Sequence, residues 1–319
     1  MDDSEDDILL AQMALRRTGI PHRLEVARDG EAALAWLTCD RAATEIPAVV
    51  LLDLKLPRRD GREVLRALRG HPCTARVPVV VLSSSRLEQD VLDAYTLGAN
   101  SYISKPIDFG VFQSTVSVLM PCWLRLNVAS PFQPRVGPRS ELDEALAAPI
   151  FVPPVLPEAP APLRRSTDVL VIDGSDADRA ATTAALATTL GRDRILALSS
   201  FRESAEFFKR FGGPPPLLSD AAPRLVFVDA NLPDGDGRDL LQALRYRGNH
   251  HILIVVFARD PTPAFVGECY RLKVNSVVAK PEDPAAYHDA IRLLAHYWIH
   301  VNEPPPAPKS GTQPRARPG

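Results

Sequence analysis

The chain repeats itself, and that repeat constrains it most. LLDLKLPRRDGREVLRALR at 51–69 aligns with FVDANLPDGDGRDLLQALR at 227–245, and NSYISKP at 100–106 aligns with NSVVAKP at 275–281. Two copies of one domain must therefore be built from the 319 residues, a length that suits about two ordinary domains. With 45% hydrophobic and 24% charged residues, each copy can bury a core of its own.

Proline marks where the copies end. Much of the total of 31 falls in 128–167 and in 303–319. Proline fixes φ and removes a backbone donor, so both stretches read as extended and poorly ordered. The expected organisation is a first domain over 1–127, a Pro-rich linker over 128–167, a second domain over 168–302 and a disordered tail over 303–319. Within the linker, Ser140–Ala147 has helix-forming residues, but so short a helix is marginal in water. The expectation is a mobile tether that lets the two domains reorient independently.

Inside each copy, strand-length apolar runs alternate with helical patterns. Strands are expected at His22–Ala27, Ala48–Leu52, Val77–Leu82 and Ser101–Ile103. In the second copy they are expected at Asp168–Ile172, Arg194–Leu198, Leu225–Val228, His251–Phe257 and Ser276–Val278. Runs such as VPVVVL and ILIVVF are apolar throughout, the pattern of parallel strands buried on both faces. Helical spacing appears in Ile8–Thr18, Gly30–Leu37, Gly61–Arg69 and Leu87–Leu97. The expected fold class is α/β, two doubly wound five-stranded parallel (flavodoxin-like) domains, the first without its first strand.

A net charge of −2 gives no basic footprint for nucleic acid. No apolar run is long enough to span a membrane. Cys39, Cys73, Cys122 and Cys269 lack metal-ligand spacing and read as thiols of a reducing cytoplasm. His250–His251 read as surface residues, and Trp123 and Trp298, ending the last helices, as packed on the sheets.

Doubly wound sheets bind ligands at the carboxyl ends of their strands, and acidic residues collect there. Asp2 and Asp3 precede the first helix, Asp53 and Lys105 end strands, and Ser83 follows VVVL. A lone Asp at a strand end is usually a helix cap. Three carboxylates, a hydroxyl and a lysine together form an oxygen-rich pocket suited to a hard cation such as Mg²⁺. A carboxylate there can also act as a nucleophile and form an aspartyl-phosphate.

With Asp2–Asp3, LLDLKLPRRDG, Ser83, Tyr102 and Lys105–Pro106, the first copy resembles the receiver domains of bacterial response regulators. Ser83 and Lys105 stand 22 residues apart, as in that family. The wording VVVLSSS and GANSYISKP is most similar to the stand-alone regulators that accompany bacterial phytochromes. The resemblance implies Asp53 as phosphoacceptor and Mg²⁺ held by Asp3, Asp53 and the Lys55 carbonyl, with Asp2 helping through a water. It further implies that Ser83 and Lys105 contact the phosphoryl group, and that Tyr102 is the switch aromatic. A receiver opens with an apolar strand before the acidic pair, whereas Met1 directly precedes Asp2 here. Either translation starts upstream, or the first domain lacks an interior strand.

The second copy keeps Asp173, Asp229 and Lys280 in the corresponding places. Gly174 replaces the metal-binding aspartate, Ala258 the switch hydroxyl and Val277 the aromatic. It reads as a degenerate receiver for docking or dimerisation. The resulting expectation is a two-component phosphorelay regulator without a catalytic output domain. It would be phosphorylated by a histidine kinase, with the phytochrome type and a homodimeric state as candidates, and act through an unidentified downstream protein. The alternative is a non-catalytic scaffold built from receivers.

Overall fold

A computed structural model describes residues 1–38, 46–129, 169–210, 223–246 and 251–306. Cys39, Ser140–Ala147, His250 and most of the expected linker and tail lie outside the described residues.

The first block contains α1 (Glu5–Arg17), α2 (Gly30–Thr38), β1 (Val50–Leu52), α3 (Gly61–Gly70), β2 (Val79–Ser83), α4 (Glu88–Thr96), β3 (Ser101–Ser104) and α5 (Phe109–Pro121). Its parallel sheet has three strands in the order β1-β2-β3. The second block contains β4 (Val169–Ile172), α6 (Asp176–Leu190), β5 (Ile195–Leu198), α7 (Phe201–Arg210), β6 (Leu225–Asp229), a small ribbon of β7 (Asn231–Leu232) and β8 (Gly235–Asp236), α8 (Gly237–Tyr246), β9 (Leu253–Ala258), α9 (Pro263–Arg271), β10 (Ser276–Ala279) and α10 (Pro284–His296). Its sheet is the complete five-stranded β5-β4-β6-β9-β10, the doubly wound order with a switch point between β4 and β6.

His22–Ala27 is not a strand. An interior strand would have to lie between it and β1, and only Met1 and Asp2 occupy that place. The Met1 ammonium donates to Leu51 O (2.8 Å), Asp53 N–H donates to Met1 O (3.0 Å), and Asp2 N–H donates to Ala27 O (3.1 Å). These rungs tie 22–27 to the sheet at one end and leave no ladder along it, as backbone pairing demands a partner strand.

Two close approaches shape the loops after β1 and β6. A Cβ on Gly61 would stand 2.2 Å from Asp53 O, and one on Gly237 would stand 2.5 Å from Asp229 O. Only glycine lets each following helix begin tight against the strand that carries the aspartate. Asp60 caps α3 by accepting from Arg62 N–H (2.7 Å).

The two blocks are packed together, contrary to the expectation of independent domains. α5 and α10 each run into one π-helical turn, Cys122–Leu126 and Tyr297–Val301, and each turn delivers an asparagine to the edge strand of the other block. Asn127 Oδ1 accepts from Tyr270 OH (2.8 Å), Ser276 Oγ (2.8 Å) and Val277 N–H (3.3 Å). Asn302 Oδ1 accepts from Tyr95 OH (2.8 Å), Ser101 Oγ (2.6 Å) and Tyr102 N–H (3.1 Å). Val128 N–H donates to Val277 O, and Glu303 N–H to Tyr102 O, both at 2.7 Å. Residues 127–128 and 302–303 therefore belong to the neighbouring block's sheet edge rather than to linker or tail.

Trp123 and Trp298 do not simply cover their own sheets. Their rings meet edge-on at 6.1 Å, and Trp123 Nε1 donates to Tyr297 OH (2.7 Å). The buried apolar cluster of the first block continues through Met120, Trp123, Tyr297 and Trp298 into the second.

Candidate functional site

The carboxyl ends of β1, β2 and β3 and the start of α1 bring together most of the residues singled out in the first copy. Lys105 Nζ is the centre. It donates to Asp53 Oδ2 (2.5 Å), Asp2 Oδ2 (2.6 Å) and Asp7 Oδ2 (2.9 Å). Asp53 is 7% exposed, and its other oxygen accepts from Lys55 N–H (3.0 Å). Burial opposes the Lys105 charge, but the hydrogen bonds to Asp2, Asp53 and Asp7 outweigh it and hold the pKa above the usual lysine range. Burial raises the pKa of Asp2.

Ser83 is fully buried and its Oγ accepts from Ser85 N–H (3.3 Å), while its carbonyl accepts from Lys105 N–H (2.8 Å). Tyr102 is turned inward, fully buried, with its hydroxyl donating to Ser85 O (2.8 Å). Asp3 is exposed, next to Asp2 in the chain.

Asp7 is the member that sequence reading missed. Ser4 caps α1 by accepting from Asp7 N–H (3.2 Å), which sets Asp7 on the first turn facing Lys105. The signal lay in the repeat: DDSEDD and DGSDAD carry a serine and a later aspartate at matching places. Ser175 likewise caps α6 from Asp178 N–H (3.2 Å).

In the second copy the same frame closes on itself. Lys280 Nζ bonds Asp173 (2.7 Å), Asp178 (2.9 Å) and Asp229. The three carboxylates lie within 4.8 Å of one another, but the lysine already stands among them, its side chain 1% exposed against 10% for Lys105. Arg259 adds a second cation, with Nη2 2.7 Å from Asp178; Ser84 holds that place in the first copy. Ala258 and Val277 are buried and offer no hydroxyl or aromatic rotor. A Cβ on Gly174 would come within 2.6 Å of Pro233 Cδ, so the loop after β6 sits in the space where a carboxylate side chain would begin.

The response regulator receiver domain family matches residues 1–117 and 169–292. The chain belongs to that family, twice over, and is a response regulator of two-component signalling. Among its relatives is Rcp1 of Synechocystis, a response regulator 38% identical over 39% of this chain and 86% of that protein. A probable methanogenesis regulatory protein of Methanothrix harundinacea, FilR2, is 37% identical over 40% of this chain and 83% of its own length. The response regulator PleD of Caulobacter vibrioides matches across both blocks, at 27% identity over 89% of this chain and 55% of its own. Divalent-metal binding and contact with histidine kinases are general features of the family. Among the described residues, no helix is long and apolar enough to cross a membrane.

Proposed function

We propose that the first receiver accepts a phosphoryl group on Asp53 from a sensor histidine kinase, and that the second is a permanently docked, non-switching copy. The observation that carries this reading is the asymmetry of two otherwise matching pockets. The first has Asp53 under Lys105 with Ser83 and Tyr102 on the neighbouring strands, and the second has Ala258, Val277 and an extra arginine.

In the transfer, an Asp53 carboxylate oxygen attacks the phosphorus of a phosphohistidine. The P–N bond breaks, its electron pair goes to the ring nitrogen, and a proton from solvent lets the histidine leave as neutral imidazole. Lys105, already oriented by three carboxylates, turns its charge to the new phosphoryl oxygens. The donor set of Asp2, Asp3, Asp53 and the Lys55 carbonyl is all hard oxygen with more negative than positive charge, which fits Mg²⁺. When bound, Mg²⁺ would supply the charge that neutralises the transferring oxygens. Ser83 would reach the phosphoryl group by turning its hydroxyl out of the strand. The consequence would pass along β3, because Tyr102 N–H and Tyr102 O are bonded to Asn302 and Glu303 of the second block.

The test is intact mass after incubation with Mg²⁺ and a small phosphodonor. One added phosphoryl group is expected on the native chain and none on Asp53→Asn. Label that persists in Asp53→Asn and disappears only with Asp229→Asn would overturn the assignment. A native chain that takes up no phosphoryl group under any donor would favour the scaffold reading instead.

A further inference from the structure

An ammonium has three N–H donors, and those of Lys105 are all taken, by Asp53, Asp2 and Asp7. The three acceptors are not equivalent. Asp53 and Asp2 each have a second oxygen bonded to the backbone. Lys55 N–H donates to Asp53 Oδ1 (3.0 Å) and Ser4 N–H to Asp2 Oδ1 (3.2 Å). Asp7 stands on the first turn of α1, at the open side of the pocket. Its side chain is 36% exposed, against 14% for Asp2 and 8% for Asp53. Among the described residues its only ion pair is with Lys105.

The contact is built rather than incidental. Ser4 Oγ accepts from Asp7 N–H (3.2 Å) and fixes the turn that aims the carboxylate. The second copy repeats the device. Ser175 Oγ accepts from Asp178 N–H (3.2 Å), and Asp178 Oδ2 lies 2.9 Å from Lys280 Nζ, the same distance as Asp7 Oδ2 from Lys105 Nζ. It does so although Gly174, Ala258 and Val277 have replaced the carboxylate, hydroxyl and aromatic around it. The aspartate on the first helical turn therefore goes with the lysine and not with the hydroxyl or the aromatic.

Phosphoryl transfer disturbs the other two acceptors. Asp53 loses its carboxylate charge when its oxygen bonds to phosphorus, and Asp2 belongs to the oxygen set that suits Mg²⁺. Asp7 takes part in neither event. A lysine on a flexible four-carbon stem keeps its place only while one of its donors stays held.

Resting on the acceptor role given above to Asp53, we propose that Asp7 is a positioning residue for the transfer. It holds one N–H of Lys105 throughout, so that the ammonium pivots from Asp53 to the incoming phosphoryl oxygens instead of swinging out of the pocket.

The test uses the full chain with acetyl phosphate as donor. An Asp53 oxygen bonds to phosphorus, the bond from phosphorus to the acetyl oxygen breaks, and acetate leaves as its anion. Initial rates from intact mass, measured across Mg²⁺ concentrations, separate the rate at saturating Mg²⁺ from the half-saturating concentration. Asp7→Asn should lower the saturated rate about tenfold, the effect of losing a hydrogen bond between charged groups, and change the half-saturating concentration by less than that. Asp7→Glu, which returns the carboxylate, should recover part of the rate. Ser4→Ala keeps every charge and frees the turn that aims Asp7. It should slow the saturated rate in the same direction, and it carries the test if circular dichroism shows Asp7→Asn unfolded. A second readout needs no transfer: in chain labelled with ¹⁵N-lysine, the Lys105 ammonium should exchange its protons with water faster in Asp7→Asn than in the native protein. An Asp7→Asn chain that is phosphorylated at the native saturated rate, loses only Mg²⁺ affinity, or keeps the native ammonium exchange overturns the role of Asp7 and leaves Asp53 as acceptor. A native chain that takes up no phosphoryl group overturns the acceptor reading itself, and the role of Asp7 with it.

Discussion

In the second pocket Arg259 joins Lys280 among the aspartates, and Gly174 supplies no carboxylate. Three aspartates there hold both Lys280 and the Arg259 guanidinium, whereas Asp2, Asp7 and Asp53 share the ion pairs of Lys105, with the Met1 ammonium near Asp2 and Asp53. Mg²⁺ is therefore expected to bind the first pocket and to bind the second much more weakly, and Arg259→Ser should strengthen the second. Magnesium titrations followed by NMR shifts of each pocket would check this; equal affinities in the native chain would count against it. Restoring the missing carboxylate by Gly174→Asp is the weaker remedy, because the new Cβ meets Pro233 at 2.6 Å. Even Gly174→Ala should lower stability by about 1–3 kcal/mol through overpacking, read from the shift in denaturant midpoint.

At the scale of elements, each final helix ends in a π turn that spends one asparagine on the other block. Asn302→Ala would leave the buried Tyr102 N–H without its acceptor and take one partner each from Tyr95 and Ser101. Such a loss costs about 1–3 kcal/mol, and Asn127→Ala should behave alike, because its partners match. Thermal unfolding of the two single variants would measure both, and a negligible change in either would mean that the exchange contributes little. The same helix end carries a pH response. His296 in α10 is 4% exposed, and burial, with His300 beside it, lowers its pKa from 6.5 to about 4. The unfolded chain thus binds the proton more readily, so stability is present above about pH 6.5 and falls as pH drops toward about 4. Melting temperatures should decline over that window, and His296→Gln should flatten the decline.

The whole molecule behaves as an intramolecular pair. The edge strands β3 and β10 and the ends of α5 and α10 are engaged with one another across the junction. A homodimer through either strand edge would have to displace this junction, so light scattering should report a monomer. The blocks should tumble as one body by NMR relaxation. Protease cleavage between 130 and 168 should yield two fragments that still co-elute; separate elution would contradict a fixed junction.

The tandem receiver fold, the parallel strands and the meeting of Asp2, Asp53 and Lys105 were legible in the sequence, because they rest on local signals. Runs such as VPVVVL read as strands buried on both faces, and the glycine that opens each of α3 and α8 is forced by the aspartate carbonyl it nearly touches. The lost Ser, aromatic and carboxylate positions of the second copy could also be read one residue at a time. Tertiary structure decided whatever depended on a partner distant in the chain. His22–Ala27 has strand composition, but beside it lie only Met1 and Asp2, and its one described tie to them is Asp2 N–H to Ala27 O (3.1 Å). Asp7 and Asp178 look like first-turn helix acids until the fold brings a lysine from about a hundred residues away. The junction escaped sequence reading for the same reason. Tryptophans and asparagines after a last helix say only that something is buried there, and it took the other copy's edge strand, more than 140 residues distant, to show what they bury against.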